Sequence, residues 1–541
     1  MDCLSFFRCQ AILLYVNWLD LTQRRYHVMR NHMLWGLFAT FLLCAAFFIS
    51  FGGPMAAADD DDEVAVYTIA DTTGDWGNPT PYERYARGPG YVRMSFVFDT
   101  LVWKDDDGFV PALAQSWEEE SETSYLFRLQ PDARWHDGES ITADDVVFTV
   151  DYNEDHPDMW VDNRIIDYAE KVDDHTVRII LSEPYAPFMD QVAGTLPILP
   201  EHIYQGVDDP LSLDDSLAWV GSGPYILADY DKAQGTYRYL ANDDYYQGSP
   251  RVREIRFIKM ALEMVPAALN RGEIDAASIE PEMIDQLGSL TVLPLPTHDW
   301  TYMLMINHHD SPFSKKEFRQ ALAYAIDRQK LVDVAARGFG LAGSPGLVPS
   351  DHDWYNPGIE QYDYDPDMAR SLLAAAGYDG SEVEILIKGG QAKDERIGEL
   401  IEEDLEAVGI DVNLRSLDSK TVDSKVMGWE FDLALSGHGG LVGDPNFLAR
   451  DTIDMDSFNS ARYDENGELV DLLERESTET DPDSRRDTID EAQALYAQDM
   501  PALSLYYPDF FWAHDDEVDL FFTKNGVALG VPIPLNKLAF L

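Results

Sequence analysis

Cysteine is scarce in this chain: three in 541 residues, Cys3, Cys9 and Cys44, all ahead of residue 58. A folded body that begins near residue 59 therefore carries no disulfide framework and no thiolate ligand or nucleophile. Positive charge is also thin. Forty Lys and Arg, only thirteen of them lysine, stand against 98 Asp and Glu, for a formal net charge of −58. Such a surface repels nucleic acid and anionic head groups, which removes both as partners. No His-Glu-x-x-His, no Gly-x-x-x-x-Gly-Lys-Ser/Thr and no Gly-x-Ser-x-Gly occurs. Metalloprotease, P-loop and nucleophile-elbow chemistry thus have no footing.

What is present is globular. Hydrophobic residues make up 45% and aromatics 12%, and the length exceeds one ordinary core, so two or three units are expected. A carboxylate coat with little lysine reads as adaptation to high salt, an acidic secreted protein being the plainer alternative. Residues 33–51 are an uncharged apolar run of bilayer-spanning length, preceded by Arg24, Arg25 and Arg30 and followed by Ala56, Ala57 and Ala58. That order predicts a signal peptide cut near Ala58, with an uncleaved anchor as the alternative. Residues 42–44 are only a faint lipobox, and residues 1–28 read as an upstream extension ahead of Met29. The acids at 59–63 form a solvated tether.

The most specific stretch runs from Trp135 to Val150. Residues 126–129 alternate as a half-buried strand, His136, Asp137 and Gly138 make a turn, and Thr142 with Asp145 forms a capping box. Val146, Val147 and Val150 follow as the apolar stripe of a helix. Gly221-Ser222-Gly223-Pro224-Tyr225 pairs two glycines, suited to close backbone approach, with a proline entering a strand. Ser314 and Glu317 read as a second capping box, before a helix faced by Phe318, Ala321, Leu322, Ala325 and Ile326. Asp365-Pro366 and Asp481-Pro482 each cap and open a helix; Gly377 ends the first of these, and Gly409 stops a further one. Strands are expected at 64–69, 302–307, 410–414 and 503–507, and a hairpin strand with an alternating face at 172–181.

In this order, residues 111–117, 135–150, 197–204, 221–225, 270–275 and 318–328 resemble the signatures of the family 5 extracytoplasmic solute-binding proteins, the peptide- and nickel-binding receptors of ABC importers. The resemblance spans residues 64–541. It implies an α/β, two-lobed periplasmic-binding-protein-like fold with an extra subdomain and two inter-lobe hinge strands. The expected divisions are a leader or anchor (1–58), the tether (59–63), lobe I (64–305, with a subdomain at about 103–218), lobe II (306–505) and a return to lobe I (506–541). The implied function is an exported, monomeric receptor that takes no cofactor and is not an enzyme. It would deliver a peptide, or alternatively nickel or a nickel chelate, to ABC permease subunits. Its place would be the outer face of the membrane or the periplasm, with residues 33–51 as a potential anchor. A secreted hydrolase is a distant alternative.

For ligand contact the candidates are His438, Gly439, Gly440 and Asp444 in the loop before Asp444-Pro445, together with Trp429, Tyr302, Asp71 and Thr72. His438 is also the candidate metal ligand. Peptide receptors of this family often hold an aspartate three residues before that Asp-Pro, to pair with a peptide's ammonium group; here the position is Leu441. Trp300 is a further cleft or core aromatic. His308 and His309 are adjacent, and on an extended chain adjacent side chains point apart, which argues against a shared metal.

Overall fold

The computed structural model describes residues 63–541, and the expectations for the leader, the anchor and most of the tether lie outside them. Of the four sheets in these residues, the smallest a pair of short strands (Val102–Lys104 and Phe109–Pro111), the three larger ones organise the fold. The largest has seven strands, in the order Thr291–Pro294, Phe511–His514, Ala276–Ile279, Tyr67–Asp71, Glu254–Lys259, Thr236–Ala241 and Tyr225–Asp231. Tyr67–Asp71 runs parallel to both neighbours, so its carboxyl end shares an edge with those of Glu254–Lys259 and Ala276–Ile279. The second sheet has six strands: Gly340–Ala342, Ala502–Pro508, Thr301–Ile306, Leu433–His438, Val383–Lys388 and Val412–Leu417. A four-stranded antiparallel sheet (Ala114–Ser121, Ser124–Leu129, Thr176–Leu181, Ile166–Asp173) is packed by the helix Ala143–Asp155 and forms an extra layer on the first lobe.

Each lobe has its own interior. In Thr301–Ile306 the side chains alternate with period two. Leu304 and Ile306 enter one core, with the helices Lys316–Ala325 and Ala392–Ala407, while Met303 and Met305 enter another on the opposite face. Thr301–Ile306 and Ala502–Pro508 pair antiparallel. The chain therefore enters the first and leaves the second at the same end of the sheet. It crosses to the seven-stranded sheet through residues 295–300 and 509–510, and both crossings lie at that end.

The local signals explain most elements. Thr142 accepts from the Asp144 amide while Asp145 accepts from the Thr142 amide, closing the capping box. Asp365 caps a helix opened by Pro366 and ended by Gly377 at φ 68°. The two strongest signatures are bonded to each other: half-buried His136 accepts from Gly221 N–H (3.3 Å) and donates through Nε2 to Gly223 O (3.0 Å). A Cβ at Gly221 would lie 2.0 Å from Val97 O, so only glycine fits there.

Four readings shift. The helix Lys316–Ala325 starts at Lys315, with no side-chain cap, because Ser314 is held in a turn by its N–H to Asp310 O (2.7 Å). Residues 172–181 are the two arms of a hairpin turning at Asp174 and His175 rather than one strand. The first strand begins at Tyr67, Val64 making only a lone bridge to Val252. The strand expected at 410–414 runs instead as Val412–Leu417.

Candidate functional site

Thr301 pairs with His438 and Tyr302 with Gly437. This register sets His298, Asp299 and Trp300, on the first crossing, beside Gly439, Gly440 and Leu441. Asp299 is buried, and its Oδ1 accepts the amides of Gly440 (2.7 Å) and Leu441 (3.1 Å). Among the described residues its Oδ2 receives no donor; that oxygen lies 2.7 Å from where a Cβ on Gly439 would stand. Burial pushes the Asp299 carboxyl up to about 6, outweighing the two amides and the charge of Arg450. Arg450 donates through Nη2 to Gly440 O (3.0 Å) and is held by Asp451 through Nε (2.7 Å) and Nη2 (2.9 Å), with its side chain 43% exposed. The Trp300 indole nitrogen lies 2.9 Å from the Cβ position of Gly437, so the glycines at 437, 439 and 440 are what let these side chains close on the loop.

His438 ends its strand on the face of Met303. The ring is buried, with Nε2 at 3.2 Å from Met303 Sδ and Nδ1 at 3.8 Å from Asp451 Oδ2. As a metal ligand it would have one thioether and one carboxylate for company. Asp444 has both oxygens on the Arg485 guanidinium (2.6 and 2.8 Å), and Arg485 also holds buried Glu476 at 2.8 Å. The Asp444 amide donates to Asp190 Oδ2 of the first lobe (3.2 Å), whose other oxygen pairs with Lys104. Gln191 Nε2 donates to Asn446 Oδ1 (3.3 Å) and Ala186 N–H to Ser477 O (2.7 Å). The Asp-Pro element thus anchors the loop against the opposite lobe.

The other candidates are dispersed. Tyr302 lies on the opposite sheet face from His438, stacked on Tyr506 at 4.9 Å. Trp429 precedes the strand that His438 ends and sits at the far end of the sheet, near His308 and His309. A six-residue strand spans roughly 20 Å, so Trp429 and His438 do not share a site. Asp71 stands at the carboxyl edge of the seven-stranded sheet, on the side of the crossings. Its carboxylate is occupied by Arg93 (2.7 Å), Trp76 Nε1 (2.7 Å) and the amides of Thr73 and Gly74. Burial opposes its charge, but these partners hold its pKa below the usual range. Thr72 is exposed beside it.

The sequence did not point to Asp299, Arg450 or His298. The available signal was an acidic residue directly ahead of a strand that begins at a crossing. His298 bridges Asp351 (2.8 Å) and Asp509 (2.8 Å), so one imidazole ties the first crossing to the second. Two small cavities lie in the first lobe, one lined by apolar side chains such as Leu101, Val146 and Ile179, the other including Tyr82, Thr149 and Asp158; neither touches these residues. Among the described residues no helix is long and apolar enough to cross a membrane.

Comparison with known proteins agrees with this architecture. The di/tripeptide-binding protein 1 of Pseudomonas aeruginosa (strain UCBPP-PA14) is 26% identical over 497 residues, covering 82% of this chain and 91% of that one. The crystal structure of the ABC transporter substrate-binding protein CtaP from Listeria monocytogenes superposes with a TM-score of 0.76 at 24% identity, over 86% of this chain and 98% of that one. NikA from Brucella suis, in complex with Fe(III)-EDTA, does so with a TM-score of 0.74 at 20% identity, over 87% and 99%. The family model described as bacterial extracellular solute-binding proteins, family 5 Middle, matches residues 108–452. With two lobes, two crossings and that match over more than half its length, the chain belongs to the bacterial extracellular solute-binding proteins of family 5.

Proposed function

We propose that this protein is the exported receptor of an ABC importer that captures short peptides where its lobes meet and presents them to the permease. The observation that carries the reading is Asp299, a buried carboxylate with one oxygen bound to the loop amides and the other without a donor among the described residues. It stands beside Leu441, where the resemblance led us to expect an ammonium-binding aspartate. A peptide's N-terminal ammonium would complete its coordination, and Arg450, bonded to Gly440 O, would face an anionic or carbonyl group of the same ligand. The likeness to the Pseudomonas di/tripeptide-binding protein supports the same class of cargo. A ligand that contacts both lobes favours their approach, because only the closed arrangement makes both sets of contacts. In this reading the protein binds stoichiometrically and without turnover, as a monomer, at the outer face of the membrane or in the periplasm, with residues 33–51 as leader or anchor.

The test is calorimetric titration with di- and tripeptides, alongside native mass spectrometry of protein from its own host. A hydrogen bond to a charged partner contributes about 1.5–3 kcal/mol, so Asp299→Asn should weaken peptide binding by about 10- to 100-fold. Near pH 6, binding by the unaltered protein should release a proton, because the ammonium favours the ionised carboxyl. Retention of a nickel chelate with no peptide binding, or unchanged affinity in Asp299→Asn, would overturn the proposal.

A further inference from the structure

The chain just beyond Ile306 is not extended. His308 N–H donates to Ile306 O (2.9 Å) and Asp310 N–H to Asn307 O (3.3 Å), forming a turn in which the rings of His308 and His309 meet edge to face at 4.9 Å. This corrects the expectation that neighbouring histidines diverge, which holds only for an extended strand. Glu465, on the segment between Tyr463 and the helix Gly467–Glu476, completes the group. One donor atom from each of His308, His309 and Glu465 lies within 4.8 Å of the others.

His308 supplies an independent observation. The residue is fully buried, and its Nε2 lies 3.1 Å from Ala461 O, so the ring hydrogen sits on Nε2 and is given to that carbonyl. Nδ1 is therefore a bare lone pair, and among the described residues it is buried without a hydrogen-bond partner. Buried polar atoms are rarely left so. A histidine fixed in one tautomer by a backbone carbonyl, with its other nitrogen free, is the arrangement that metal-ligating imidazoles adopt. His309 and Glu465 are exposed, which gives an ion a way in.

We propose that His308, His309 and Glu465 bind one first-row divalent transition-metal ion, with solvent filling its remaining positions. Two imidazoles and a carboxylate suit Zn²⁺, Ni²⁺ or Cu²⁺ and not Mg²⁺ or Ca²⁺, which take oxygen ligands. The site lies at the end of Thr301–Ile306 remote from Asp299, so its occupancy is independent of cargo. It would tie the end of that strand to the segment leading into Gly467–Glu476. Trp429 lies over His309, ring centres 3.9 Å apart, and would report the ion.

The experiment uses the exported chain stripped with chelator, then titrated with Zn²⁺ by calorimetry and with Ni²⁺ by tryptophan fluorescence. The expected result is one Zn²⁺ per chain, quenching by Ni²⁺ that Trp429→Phe diminishes, and no competition from millimolar Mg²⁺. Changing a partner that merely orients a ligand costs 10–100-fold in affinity, so His309→Ala and Glu465→Gln, both at exposed positions, should each cost at least about tenfold. His438→Ala should change nothing here. Absence of saturable Zn²⁺ binding, binding indifferent to His309→Ala and Glu465→Gln, or binding lost in His438→Ala would overturn the proposal.

Discussion

Lys537 and Asp99 form an ion pair with both side chains essentially inaccessible to water. Burial pushes the Lys537 pKa down, while the Asp99 carboxylate counteracts it. Asp99 is further held by Tyr246 Oη at 2.8 Å. Removing one partner of such a pair strands the other's charge, at a cost of about 3–5 kcal/mol. Lys537→Ala is therefore expected to lower the unfolding free energy from urea titration by that amount, and Lys537→Ala with Asp99→Leu to recover much of it; an unchanged single variant would show that water reaches Asp99. The same scale shows why the site was hard to read from sequence. The loop at 438–445 was recognisable by its glycines and Asp-Pro, and Leu441 marked a missing carboxylate. The carboxylate now proposed for that role, Asp299, lies 141 positions away from Gly440 in the sequence. Only the register of Thr301 against His438 brings it there, and register depends on packing of the whole sheet, which no local pattern encodes.

Elements were far more legible than contacts. Asp365-Pro366, Asp481-Pro482, Thr142 with Asp145, and the apolar faces of the helices at 316–325 and 392–407 all express local rules, and each is realised. Ser314 failed as a cap because a preceding local turn, closed by its N–H on Asp310 O, claimed it first. The crossings hold the feature that no pattern announced: His298 between Asp351 and Asp509. Burial disfavours its charge, but the two carboxylates prevail and raise its pKa to about 9. Charged, the ring donates from both nitrogens; neutral, it sets a lone pair against one carboxylate. The folded value is raised above the unfolded one of about 6.5, so the stabilisation is complete below pH ~6.5 and is lost as pH rises through ~9. A shift of that size corresponds to about 3 kcal/mol. Denaturant midpoints measured between pH 6.5 and 9.5 should fall in the unaltered protein and stay nearly flat in His298→Gln; parallel slopes would remove His298 as the cause.

At the scale of the whole molecule, the contacts between lobes among the described residues include the edge-to-face rings of Phe339 and Phe511 and polar ones: Ala186 with Ser477, Gln191 with Asn446, Asp190 with Asp444, and the rim pairs Arg337–Glu282 (3.1 Å) and Lys524–Asp353 (2.8 Å). Exposed pairs of that kind contribute at most about 1 kcal/mol each, so a ligand bridging the lobes can decide their separation. Acting against every closed or compact arrangement is the net charge of −58, which repels itself over distances set by salt. The screening length falls from about 10 Å at 0.1 M to about 3 Å at 1 M. We therefore expect the melting temperature to rise by several degrees as KCl is increased to about 1 M, with most of the gain below ~0.5 M, where screening changes fastest. Salt also strengthens apolar burial, and the two causes separate by choice of anion. Perchlorate screens charge as chloride does but does not reinforce burial. Equal stabilisation by both salts below ~0.3 M would assign the effect to carboxylate repulsion, whereas stabilisation by chloride alone would assign it to the core.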